Sequence, residues 1–360
     1  MGVPKAPAPC HGDPKGSYLA LNTVDSEPKA YFEPISTRLN LSVLITAYVH
    51  RLSTEGEFNG EIRATGVEFS HGGKAEVHVV RADREVIISA GTLKSPEILE
   101  LSGIGRPDVL SKIGVPVKIA LPGVGDNVQE HQYLSLSFEL KDAMKTYDDL
   151  FNPIEAARHV EPYAEKDSYL NNKNYNFERI RSKRPGPELI TFPGFFSHPK
   201  VPSPGKKYIT VMGVINNNFS RGTVHAASND PLADPEIDPH YFEQDMDRQM
   251  FIELVHYIRR IARTVPLCNF INASETAELN PGAEFATDEQ IASWIPQGSG
   301  TINHTAGSLA MLPREKNGVV DSNLKVYGIK NIRVVDLSIA PVHSTAHSQA
   351  TVYAIAEQGE

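Results

Sequence analysis

Strand-like alternation of apolar and polar positions fills the first third of the chain, and one strong helical stripe marks the last third. Residues 39–52 are β-branched and apolar and predict a strand. Residues 62–69 and 75–82 form two more alternating runs, joined by His71-Gly72-Gly73-Lys74. Glycine reaches positive φ without strain, so that joint predicts a hairpin. Residues 85–90 are nearly continuously apolar, the pattern of a strand buried on both faces. A short helix is predicted after them, with Ser95 as N-cap, Pro96 at the first helical position and Gly103 closing the end. A second is bracketed by Pro107 and Gly114, and residues 121–127 form a turn-rich loop leading to His131.

Residues 1–30 hold no period, and residues 141–207 are polar and weakly periodic, which predicts loops and short helices facing substrate or solvent. A strand is expected at 208–216. The amphipathic stripe Phe251, Leu254, Val255, Ile258, Ile261, Ala262, Val265 predicts a helix over 245–265. Thr287-Asp288-Glu289-Gln290 is a capping-box pattern opening a helix through Trp294. A strand at 332–336 and a helix at 348–357 close the chain. The expected division is 1–134, 135–218 and 219–360.

With 360 residues and a formal charge of −9, the chain is a poor partner for nucleic acid or an anionic membrane. The basic run 179–184 reads as a solvated loop. Cys10 and Cys268 make neither a disulfide framework nor a metal site, and free thiols are expected. No stretch approaches the roughly 20 apolar residues of a membrane span, and no signal peptide is read at the start, so a soluble protein is expected. Sequons stand at Asn40, Asn218, Asn272 and Asn303.

His11, His50, His71, His78, His159, His198, His225, His240 and His256 read as surface or packing residues, and His131 and His343 as structural. His343 and His347 have the i, i+4 spacing of a zinc pair, but Pro341 and Ser344-Thr345-Ala346 indicate a loop and no further ligand completes a shell, so no metal is expected. There is no Gly-x-Ser-x-Gly elbow, no Walker A sequence, and no Gly-x-Gly-x-x-Gly following a strand. Ser102-Gly103-Ile104-Gly105 and Gly123-Val124-Gly125 follow a helix and a loop and are weak candidates for a pyrophosphate loop. That leaves His304 and His347, each in a run of small residues.

Six segments, in order, resemble one family. The run from Ser89 to Gly105 (Ser-Ala-Gly-Thr-Leu-Lys-Ser-Pro-Glu-Ile-Leu-Glu-Leu-Ser-Gly-Ile-Gly) resembles the second signature of the glucose–methanol–choline (GMC) flavin oxidoreductases. Pro122 to His131 resembles the segment that follows it. Ser220-Arg221-Gly222-Thr223-Val224 and Asp234-Pro235-Glu236-Ile237-Asp238 resemble the start of the family's C-terminal domain. His304-Thr305-Ala306-Gly307-Ser308 resembles its His-x-x-Gly-Thr element, with Ser308 in place of threonine, and the stretch from Gly318 to Glu357 resembles its closing segment.

The resemblance implies an α/β plus α+β fold: an incomplete FAD-binding, Rossmann-like domain (1–134), a substrate-binding region (135–218) with an antiparallel sheet, and a GMC C-terminal domain (219–360). It implies FAD as cofactor and a small-molecule alcohol as substrate, and leaves room for a homo-oligomer. His304 and His347 match the family's catalytic pair, one taking the hydroxyl proton as hydride leaves for the flavin, the other orienting the same oxygen. Asp336, Ala346 and Gln349 match positions by the isoalloxazine, Val49 one near the adenine, and Ala90 and Gly91 a turn beside the dinucleotide. The family's N-terminal Gly-x-Gly-x-x-Gly unit is not found in this sequence, so the phosphate cradle is expected to be missing, FAD binding weak or absent, and apolar surface uncovered beside 85–90. Besides an FAD-dependent alcohol oxidoreductase, the same residues admit a cofactor-independent acid–base enzyme, a cyclase or dehydratase, since the closing segment resembles enzymes of fungal secondary metabolism. They also admit an inactive fragment.

Overall fold

The structure, a computed structural model, describes residues 18–19, 32–58, 61–73, 76–141, 144–151, 176–179, 187–274, 277–345 and 347–359. They fall into two compact units. A sheet unit comprises residues 1–20, 130–220 and 242–304, and an α/β unit comprises 21–129, 221–241 and 305–360. Residues 219–360, expected as one domain, are thus shared between the two.

The sheet unit is built on seven antiparallel strands. Tyr18–Leu19, Asn176–Arg179, Glu188–Phe192, Tyr208–Ile215 and Gln132–Glu139 follow one another across the sheet, and Glu278–Asn280 and Ser299–Thr301 share the far side of Gln132–Glu139. The central pair runs in register from Tyr208↔Glu139 to Ile215↔Gln132. Its two-residue period separates two faces. Leu134, Leu136, Phe138, Val211 and Ile215 pack against the helices Asp245–Ala262 and Asp288–Gly298, in a core completed by Phe251, Leu254, Ile258 and Trp294. On the opposite face Tyr133, Met212, Val214, Ile190 and Ile302 cluster beside the buried hydroxyls of Ser135, Ser137 and Thr210. The first helix is tied at its start by buried Asp247, which accepts the N–H groups of Phe219 (2.7 Å) and Ser220 (2.8 Å). The second carries the expected capping box at Thr287 and Gln290. The strand expected at 208–216 and the helix expected at 245–265 are present within a few residues.

Region 141–207 departs from its loop reading. It holds the strands Asn176–Arg179 and Glu188–Phe192 and the 3₁₀ turn Tyr147–Phe151. Short strands whose partner is distant in sequence, such as Ile190↔Met212, leave little local periodicity. Most of the 179–184 run lies outside the described residues.

In the α/β unit the expected hairpin forms: Ala47–Phe58, Glu61–His71 and Val77–Arg81 make a three-stranded antiparallel sheet, with Gly72 and Gly73 at positive φ. The first strand starts at Ala47 rather than at 39. Leu39, Val43, Leu44 and Ile45 are apolar but exposed and join no strand ladder among the described residues, and β-propensity without a partner makes no strand. Val86–Ile88 pairs in parallel with Ile332–Val334. It is not buried on both faces, because Ile87 stays 47% exposed. The core joins Leu52, Ile88, Leu99, Val319, Val320 and Ile332, among others.

The helix after this strand spans Gly91–Leu101, so it starts four residues before Ser95, and Pro96 lies inside it. Ser95 is not an N-cap; its hydroxyl donates to Asp336 Oδ2 (2.6 Å) and accepts from Ala90 N–H (3.1 Å). Gly103 follows at φ +86°, as expected of a helix end. Pro107–Lys112 and Gln349–Gln358 are helical close to the expected bounds. Cys268 is a free thiol, and Cys10 lies outside the described residues.

Candidate functional site

His304 closes the sheet unit, and a strand ladder places it. Ser299–Thr301 pairs with Gln132–Glu139, with Thr301 opposite Gln132, and the pairing runs on as Ile302 N–H donates to the His131 carbonyl (3.1 Å). The Glu130 carboxylate finishes the junction, its Oε1 accepting from His131 N–H (3.0 Å) and His304 N–H (2.8 Å). Held this way, the two imidazoles meet edge to face, with Nδ1 to Nδ1 at 2.9 Å. His131 is 1% exposed and faces His304, beyond the structural role expected of it. A histidine at the end of a turn-rich loop gives no local sign of touching one 173 positions away.

In the α/β unit Asp336 gathers Gly91, Ser95 and Ser338. Its Oδ2 accepts from Gly91 N–H (2.9 Å) and the Ser95 hydroxyl, and its Oδ1 from Ser338 N–H (2.9 Å) and the Ser338 hydroxyl. This side chain caps the turn Leu337–Ile339, which is why the strand stops at Val334 and not at 336. Asp336 and Gly91 are thus brought together. Ala90 stands exposed beside Gly91, and a side-chain carbon added to Gly91 would meet nothing within 4 Å.

A second knot in the α/β unit steadies the approach to His347. Gln129 donates to the Pro341 carbonyl (3.2 Å) and accepts from His343 N–H (3.0 Å), and Asn127 donates to the Gly307 carbonyl (3.3 Å). Gly307 sits at φ +93°, where a side-chain carbon would fall 2.6 Å from the Asn127 carbonyl oxygen. That is the physical demand behind the glycine of the His304–Ser308 motif. His343 is buried in this knot. His347 is exposed, and Gln349 is the exposed first residue of the last helix. Between them Ser348 is buried, and its hydroxyl has no hydrogen-bond partner among the described residues. Val49 is half-buried and packs against the core of this unit. Ala346 lies outside the described residues.

A bound cofactor needs open backbone and unmet polar groups, and this unit offers both: a side-chain carbon at Gly91 would meet nothing within 4 Å, and the Ser348 hydroxyl has no partner among the described residues. A pyrophosphate loop is a different requirement, and no segment of this sequence has its glycine pattern. Among the described residues no group of three or more His, Cys, Asp or Glu gathers as a metal site, and no helix is long and apolar enough to cross a membrane. A cavity of about 790 Å³ in the sheet unit is lined by Arg259, Arg260, Arg263 and His256 on the helix side and holds none of the candidate residues.

Comparison with known proteins places these two units in one family. Two GMC oxidoreductase family profiles match, one over residues 21–133 and one over 218–356. The chain belongs to the GMC oxidoreductase family, whose members are FAD-dependent oxidoreductases. It is 33% identical to the GMC oxidoreductase family protein Mala s 12 of Malassezia sympodialis, over 97% of this chain and 61% of that protein. It is 29% identical to a versicolorin B synthase of Emericella nidulans, over 99% of this chain and 59% of the relative. Among solved structures, an FAD-dependent oxidoreductase from Chaetomium thermophilum matches with a TM-score of 0.77 at 25% identity, over 91% of this chain and 62% of that one. Pyridoxine 4-oxidase from Mesorbium loti shares the fold, with a TM-score of 0.80 at 24% identity over 96% and 64%. The chain therefore spans about three fifths of the length of these relatives.

Proposed function

We propose that the protein oxidises a small primary or secondary alcohol, with His304 and His347 as its acid–base pair. The observation that carries this reading is the fixing of His304: its backbone is held by Glu130 and its Nδ1 by His131, which supports Nε2 as the nitrogen that would work on substrate. His304 takes the hydroxyl proton at Nε2, and His347 donates a hydrogen bond to the same oxygen. Imidazole suits both tasks because its pKa lies near working pH. Bound FAD would supply the hydride acceptor. Asp336, Ala346 and Gln349 would border its ring, the Ala90–Gly91 turn would lie beside the dinucleotide, and Val49 would stand near its adenine. No residue of this sequence is assigned to the pyrophosphate, so the reading asks for FAD to be supplied and its binding measured.

The test is spectral and chemical. The purified chain is titrated with FAD and assayed by dye reduction with choline, pyridoxine and benzyl alcohol, the first two chosen from the names of relatives, oxygen-dependent choline dehydrogenase and pyridoxine 4-oxidase. Flavin absorbance with dye reduction, and a loss of roughly 10²–10⁴-fold in His304→Ala, are expected. Dye reduction unchanged in His304→Ala would sink the assignment. A second reading, cofactor-independent acid–base chemistry, is favoured by a relative named as a synthase. Turnover that needs the histidines but no flavin would select it.

A further inference from the structure

We infer that His131 is a positioning residue that sets the tautomer of His304 and so decides whether His304 works as base or as hydrogen-bond donor. The inference rests on the reading of His304 given above. At an Nδ1–Nδ1 distance of 2.9 Å the two rings share one hydrogen bond, and one proton lies in it. If His131 is the donor, the neutral His304 carries its own proton on Nε2 and offers substrate only an N–H. If His304 is the donor, its Nε2 has a lone pair and accepts the alcohol proton. The imidazolium so formed still donates from Nδ1 to His131, which spreads and stabilises the new charge. Protonating both rings sets two N–H groups against each other, so the pair holds at most one positive charge.

The surroundings keep this geometry. His131 is buried, the Glu130 carboxylate anchors both backbones within 3.0 Å, and Ile302 N–H ties the strand of one ring to that of the other. A merely packed histidine needs no such alignment of like nitrogens.

The test compares His131→Leu with His131→Asn in the FAD-supplied protein. The leucine variant removes the acceptor, whereas the asparagine amide oxygen can take the acceptor place of Nδ1. His131→Leu is expected to lower kcat roughly 10–100-fold, by analogy with the loss of the partner that orients a metal-bound histidine. KM should stay within about twofold and the acid limb of the kcat/KM profile should move to lower pH by about one unit, because the His304 imidazolium loses its acceptor. His131→Asn should recover most of kcat. Nitrogen-15 NMR of the imidazoles gives a readout independent of turnover: the His304 Nδ1–H signal of the neutral protein should weaken in His131→Leu as the other tautomer fills. Equal loss in both variants with an unchanged pH profile, or wild-type kcat and tautomer signal in His131→Leu, overturns the inference. His304→Ala separates the two ideas: full activity there defeats the base assignment itself, whereas an inactive His304→Ala beside a wild-type His131→Leu defeats only the role of His131.

Discussion

The Ser308 hydroxyl donates to the Thr92 carbonyl at 2.6 Å, and Thr92 is the residue whose carbonyl Pro96 leaves without its helical partner. Proline has no N–H, so the i→i−4 bond from position 96 to position 92 cannot form. Ser308 is fully buried and supplies the missing donor from 216 residues away. The family motif has threonine here, and both residues bring a hydroxyl. Ser308→Ala is expected to destabilise the protein by roughly 1–3 kcal/mol, the cost of an unsatisfied buried carbonyl. Ser308→Thr keeps the hydroxyl and should recover most of that loss. Urea denaturation midpoints of the two variants measure the difference, and equal midpoints would mean the hydroxyl is dispensable.

Asp336 is the second place where one side chain holds distant segments. It is buried and accepts four hydrogen bonds, two on each oxygen. Asp336→Asn swaps one acceptor oxygen for an NH₂ that faces donors. A loss of about 3 kcal/mol is expected, from a broken charge-assisted bond and a stranded donor. Because Gly91 N–H is one of the four donors, the Ala90–Gly91 turn should loosen in the same variant. Faster amide exchange at Gly91 in Asp336→Asn would report it, and unchanged exchange would show that the turn stands without the aspartate.

Much of this was legible from residue order, for reasons that can be stated. The helix at Asp245–Ala262 follows a local period, and the capping box at Thr287 is a four-residue pattern, so both stand in the sequence. The helix at Gly91–Leu101 was misplaced because Ser95 and Pro96 form a good local start signal. The signal was outweighed by partners far along the chain: Asp336 engages Ser95, and Ser308 makes Pro96 tolerable inside the helix. His131 was missed for the same reason, since its meaning lies in His304. Residues 39–45 mislead in the opposite direction: they carry a local β pattern but join no strand ladder among the described residues.

His225 predicts a pH dependence of stability. Its Nδ1 lies 2.7 Å from the fully buried Glu100, and Asp126 is 3.7 Å from Nε2, close enough to act as a charge though not as a hydrogen-bond acceptor. Burial works against a positive imidazole, but the Asp126 and Glu100 carboxylates outweigh it and raise the pKa to about 9. An unfolded histidine titrates near 6.5. The stabilisation is therefore fully present below about pH 6.5 and is lost as pH rises toward about 9, with an upper limit of roughly 3 kcal/mol. Thermal melts across that window should show stability falling with pH in the wild type and a flatter course in His225→Gln. Parallel slopes would remove His225 as the cause.

The sheet and its main helix meet at Gly213, and the contact is tight enough to test by adding one methyl group. Gly213 lies on the strand Tyr208–Ile215, opposite Leu134 on one side and Leu189 on the other. A side-chain carbon built there would fall 2.3 Å from Leu254 Cδ2 and 2.5 Å from its Cγ. Leu254 is 1% exposed and belongs to the packed core beneath the sheet, so its side chain has little room to move aside. Gly213→Ala is expected to cost roughly 1–3 kcal/mol by overpacking. Leu254→Ala alone should cost roughly 2–5 kcal/mol by opening a cavity. In the double variant the new methyl enters space that Leu254 vacated, so the combined loss should fall short of the sum by at least about 0.5 kcal/mol. Denaturation free energies for the four proteins close the cycle, and strict additivity would show that Gly213 is not where the helix bears on the sheet.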